Sequence, residues 1–129
     1  MSFWSCRAAV VAAVVLLCGC AAERMFNEGR DMVSAGQTLE GFAKIEAAIK
    51  EDPKNTEYRV YLTNRREAAI TSLLARADLA RSQGRLADAE TAYREVLALD
   101  SRNQPAQVGM ERLVGDRLHK QQMVDAEAL

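Results

Sequence analysis

The side chains able to do chemistry in this chain are few, and most of them crowd one end. All three thiols, Cys6, Cys18 and Cys20, fall within the first 20 residues. No disulfide framework is therefore available to the remainder. The one imidazole, His119, stands in the polar run Arg117-Leu118-His119-Lys120 and reads as an exposed helix residue. Carboxylates are spread along helical stretches with basic partners nearby, as Glu90 and Arg94 are at i, i+4, the geometry of a solvated ion pair. There is no H-E-x-x-H, no G-x-S-x-G and no phosphate-cradling glycine loop. Without a convergent acid pair, a metal cluster or an activated nucleophile, the chain offers no catalytic, cofactor-binding or metal-binding residues, and it reads as a non-enzyme.

One thiol has a context of its own. Residues 1–20 read MSFWSCRAAVVAAVVLLCGC, with Arg7 as the only charged side chain. The apolar run from Ala8 to Leu17 is too short to span a bilayer comfortably and has the form of a secretory signal. Its end, Leu17-Cys18-Gly19-Cys20, resembles the bacterial lipobox. The resemblance implies cleavage ahead of Cys20, which then carries a diacylglyceryl thioether, while Cys6 and Cys18 leave with the signal peptide, residues 1–19. Two or more acyl chains suffice for stable anchoring, at about 0.8 kcal/mol per buried methylene. Ala21 and Ala22 follow the cysteine where the inner-membrane retention signal of that family has Asp, which implies the periplasmic face of the outer membrane. Two other readings of the stretch are an uncleaved N-terminal anchor and a signal cut elsewhere. Removing Arg7 from a total of −1 leaves the mature chain near −2, which excludes the basic face that a nucleic-acid partner needs.

The rest of the chain must supply a fold. It is alanine-rich, with aromatics at 5% and charges at 27%, which suits packed helices better than sheets. Between Leu73 and Asn103 two helical patterns meet at Gly84. The first carries Leu73, Ala77 and Ala80. The second carries Ala89, Ala92, Tyr93, Val96 and Leu97 at the spacing of an apolar stripe. Gly84 tolerates the left-handed conformation of a helix C-terminus. Ala77 and Ala89 would let the two helices approach closely, with Tyr93 filling the space beside them. Glu23 to Asn55 repeats the scheme more loosely: Gly29 in the first helix, Gly36 at the turn, Gly41 and Ile45 in the second, Ala48 as a further small residue, and Asp52-Pro53 as a stop. Gly41 weakens its helix by about 1 kcal/mol relative to Ala, so this hairpin should be the softer one.

These positions, in register, resemble the ~34-residue tetratricopeptide repeat. The departures are Val96 at a small position, Ser101 in place of Pro, and Ala80 where an aromatic is usual. The resemblance implies an all-α fold of tetratricopeptide-like helical hairpins, an α-solenoid, after the cleaved signal peptide. The domain would cover residues 23–129, behind a short lipidated segment at 20–22, with repeats at about 23–55 and 70–103 and a partial third at 104–129. The first helices are lengthened: the turn glycines stand 48 residues apart, at positions 36 and 84, and a helix of about 27 residues from Glu57 to Gln83 absorbs the difference. Asn55 or Thr56 can cap it, and Tyr58, Leu62, Ala69, Leu73 and Ala77 form its stripe. Pro105 fits the first turn of a further helix, which would expose Leu113, Leu118 and Val124 on an uncovered face and let copies of the chain associate.

A lipobox followed by such hairpins is similar to the N-terminal region of secretin-family proteins, the outer-membrane channels of type II secretion and type IV pilus-like systems. The stretch from Asp52 to Asp100 is its most telling part, and the similarity covers at most residues 20–129. It implies a scaffold that binds proteins of the secretion machinery, and a chain that is a fragment of a longer secretin. A stand-alone lipoprotein of outer-membrane assembly or envelope maintenance is the alternative, and an envelope-modifying enzyme a third reading.

Overall fold

The computed structural model describes residues 20–127, and their secondary structure is entirely α-helical. Helix α1 covers residues 20–34, followed by α2 (Thr38–Glu51), α3 (Thr56–Ser82), α4 (Leu86–Leu99) and α5 (Gln104–Glu127). The signal-peptide residues, Leu17, Cys18 and Gly19 among them, lie outside the described residues. None of the described helices is long and apolar enough to cross a membrane. The chain divides into two compact units, one up to Arg65 and one from Arg66 onward. The helix α3 begins in the first and ends in the second.

In the first unit, α1 ends at Gly36, whose φ of +86° is open to glycine and strained for other residues. The Gly36 N–H donates to the Val33 carbonyl at 3.1 Å, and the Gln37 N–H reaches back to Met32 at 2.9 Å, which satisfies carbonyls the helix end would orphan. The next helix stops at Asp52, before Pro53. Asn55 then accepts the Glu57 N–H on Oδ1 at 3.1 Å and starts α3. The core joins Ala22 and Phe26 of α1, Phe42, Ile45 and Ala48 of α2, and Tyr58 and Leu62 of α3. Residues 20–22 are helical, and Ala22 is fully buried, so the stretch read from sequence as a linker already belongs to the fold.

Gly41 does more than weaken a helix. A Cβ there would stand 2.6 Å from a Val33 methyl and 2.8 Å from the Gly29 carbonyl oxygen, and one on Gly29 would stand 2.8 Å from the Gly41 carbonyl oxygen. The two glycines let the backbones of α1 and α2 touch.

The second unit repeats these devices 48 residues on. Gly84 has φ +72° and donates to Arg81 at 3.0 Å, and Arg85 donates to Ala80 at 2.9 Å. The helix α4 has 14 residues, as α2 has. Asp100 N–H closes it on Val96 at 2.9 Å, as Asp52 N–H closes α2 on Ala48 at 2.9 Å. Asn103 caps α5 by accepting the Ala106 N–H at 3.2 Å. The core holds Ala77 and Ala80 of α3, Ala89, Ala92, Tyr93 and Val96 of α4, and Ala106 and Leu113 of α5. Leu113 is 1% exposed, which corrects its assignment to an uncovered face: it lies on the same side of α5 as Ala106 and packs into this cluster. Leu118 and Val124, further along, are 62% and 54% exposed.

Candidate functional site

The first helix of each hairpin presents a surface together with the helix that follows the hairpin. In the first unit that surface is aromatic. Phe26 stacks on Tyr58 with ring centroids 4.2 Å apart and meets Tyr61 edge-on at 5.3 Å. Phe26 and Tyr58 are nearly fully buried, while Tyr61 is half-buried. The Arg30 and Arg65 guanidinia stand 5.8 and 5.4 Å from the Tyr61 ring centre, within cation–π range. Burial raises the Tyr58 phenol above its ordinary value, and the charges of Glu23 and Asp52 add to the rise. Beside this surface Glu28 receives Lys44 and Arg24, each at 2.8 Å, and is held below the usual carboxylate range by Lys44 first and Arg24 second.

The second unit places different chemistry there. Tyr93 rises from α4 between α3 and α5 and donates its phenolic hydrogen to Asp78 Oδ1 at 2.5 Å. Burial, then the Asp78 carboxylate, pushes its pKa above the ordinary value. Its ring lies against Gly109 of α5. A Cβ at Gly109 would come within 2.5 Å of Tyr93 Cε1, so only glycine fits there without a shift. Above the ring is a cleft of about 310 Å³, walled by Asp78, Gln104, Val108 and Arg112. Elsewhere on the second unit, Arg81 pairs with Asp116 at 3.3 Å, and Glu90 receives both Arg117 and Arg94. Arg117, before the opposing effect of burial, holds the Glu90 carboxyl below its usual range.

Gly29 lies at the crossing of α1 and α2; Gly36 and Gly84 form the two turns. Ala48, Ala77, Ala89 and Tyr93 are buried at 0 to 1% exposure. Ala77, Ala89 and Tyr93 meet in one cluster. Cys20, in α1, is an exposed free thiol, and His119 is exposed on α5. Among the described residues no three His, Cys, Asp or Glu side chains are grouped to hold a metal ion. Sequence reasoning missed Gly109, the Phe26–Tyr58–Tyr61 cluster and the Asn103 cap. Only the cap left a local signal, Asn ahead of Gln104-Pro105.

No family model, no curated protein and no solved structure matches this chain.

Proposed function

We propose that this chain is a lipid-anchored helical-repeat scaffold, tetratricopeptide-like in its hairpins, that holds a partner protein at the periplasmic face of the bacterial outer membrane. The process it best fits is protein secretion or pilus assembly, as the N-terminal periplasmic part of a secretin-like protein. The observation that carries the reading is the duplication. The same helix, glycine turn, 14-residue helix and Asp-x-x-Asn turn occur twice at a 48-residue spacing, each with a small-residue contact beneath it. Repeated hairpins bury one face of each helix and leave another open, the usual arrangement of repeat proteins that bind other proteins. The lipobox residues Leu17 to Cys20 supply the anchor. With the thioether on Cys20, α1 would rise from the membrane without a spacer, because Ala22 is already packed in the core.

The reading is tested by photocrosslinking in intact bacteria from a benzophenone side chain at Val60, which is 57% exposed on α3. The expected adduct is a protein of the secretion or outer-membrane assembly machinery, identified by mass spectrometry, and lost when Cys20→Ala releases the anchor. Adducts with cytosolic proteins, or adducts indifferent to Cys20→Ala, would overturn it.

A further inference from the structure

The two units differ at positions that the 48-residue spacing makes equivalent. Forty-eight residues separate Phe26 from Leu74, Tyr58 from Ala106 and Tyr61 from Gly109. Each change removes bulk, and all three remove a ring. Smaller gains occur elsewhere, Gly41 to Ala89 and Ala48 to Val96 among them; the one ring gained at a core position is Tyr93, in place of Ile45, and it lies over Gly109. Where the first unit is closed by an aromatic cluster, the second is left with the cleft over Tyr93.

The walls of that cleft are specific. Arg112 is exposed, and among the described residues it has neither a carboxylate nor a hydrogen-bond partner. In the first unit Arg30 and Arg65 flank a ring, Tyr61. Asp78 occupies the position of Arg30, and its Oδ1 is taken by Tyr93, which leaves Oδ2 as an acceptor at the wall. Pro105 and Val108 supply an apolar side. The combination of an apolar wall, a guanidinium and a carboxylate oxygen suits a flat ring with a polar hydrogen at its edge.

We propose that this cleft receives an aromatic side chain of the partner polypeptide, a tyrosine or tryptophan, seated beside Arg112 with its O–H or N–H donated to Asp78. The proposal names the recognition chemistry of the scaffold reading and rests on it for the partner. The cleft itself is tested without any partner, so the two can fail separately.

The whole chain, labelled with 15N, is titrated with the N-acetyl amides of tyrosine, tryptophan, phenylalanine and leucine, and amide shifts are followed. The expected result is saturable movement of the Gln104, Val108, Gly109 and Arg112 resonances. Tyrosine and tryptophan amides should bind more tightly than phenylalanine, and leucine least. Arg112→Gln, on an exposed side chain, should weaken the aromatic amides about two- to fivefold, the loss of one exposed cation–π contact. Val108→Trp, which fills the cleft from the chain's own side, should abolish the movement while the melting temperature of Arg112→Gln stays at the wild-type value. Equal affinity for the leucine amide, indifference to Arg112→Gln, or shifts that fall on Phe26 and Tyr61 instead would overturn the proposal. No saturable binding at all would overturn it too, and would leave the scaffold reading standing on its crosslinks.

Discussion

Gly109 and Gly115 lie in the same helix, six residues apart, and replacing each by alanine should shift stability in opposite directions. At Gly115 an added Cβ meets nothing within 4 Å. The substitution there gains only helix propensity and should stabilise the protein by roughly 0.8–1 kcal/mol. At Gly109 the same gain is opposed by the Tyr93 ring, whose Cε1 and Cε2 would stand 2.5 and 2.8 Å from the new carbon. Carbon atoms prefer about 3.5–4.0 Å. The ring is 1% exposed and its hydroxyl is held by Asp78, so moving it off Gly109 disturbs the core and that hydrogen bond. Overfilling of this kind costs about 1–3 kcal/mol, so Gly109→Ala should be destabilised by up to about 2 kcal/mol net. Since propensity cancels between the two variants, their difference reports the contact alone, about 1–3 kcal/mol, or very roughly 4–20 °C in melting temperature. Circular dichroism melts of the two variants give the comparison. Tyr93→Ile, which installs the side chain of position 45, should relieve Gly109→Ala in a double-mutant cycle by a favourable coupling of order 1–2 kcal/mol. Equal stabilisation by both alanines, or zero coupling, would refute the packing of Tyr93 on Gly109.

Other outcomes follow from the same structure. Ala89→Trp, at a fully buried position, should unfold the second hairpin, and an unchanged melt would place Ala89 on the surface. Gly84→Ala should cost about 1–2 kcal/mol because φ is +72°, with Gly84→Asn milder, measured by urea denaturation. The Glu90 carboxyl is depressed below 4.5 in the folded state, so its contribution to stability is present above that value and lost as pH falls through the folded pKa. Melts from pH 7 to pH 3 should therefore fall less steeply for Glu90→Gln than for wild type. Tyr93 is raised above 10.0, so its contribution is present below pH 10 and lost as pH rises through the folded value. A 13Cζ titration should put its midpoint above 10.

What was legible in the sequence was local. Gly36, Gly84 and Pro53 announce turns through their own backbone restrictions, and the 14-residue helices between them follow from stripes such as Ala89, Ala92, Tyr93 and Val96. The 27-residue length of α3 was legible because nothing between Thr56 and Ser82 can stop a helix. What was not legible depends on partners distant in the chain. Gly41 reads as a weak point of its helix and Gly109 carries no signal of its own, yet each is the place where another element comes close: the Gly29 backbone for one, the Tyr93 ring for the other. Leu113 looks like one more apolar residue on a polar helix until the cluster of Ala80, Ala89 and Tyr93 is set against it. The rings of Phe26, Tyr58 and Tyr61 are spread over 36 positions, and no spacing rule for one helix links residues on two.

The claim on which the functional account depends is that Cys20 bears the lipid anchor. Metabolic labelling with an alkyne palmitate, followed by fractionation of inner and outer membranes, tests it directly. The account predicts label on the wild-type chain in the outer-membrane fraction. Cys20→Ala should remove the label and leave the precursor unprocessed or released. Label that persists in Cys20→Ala, or a wild-type chain that carries none, would contradict it.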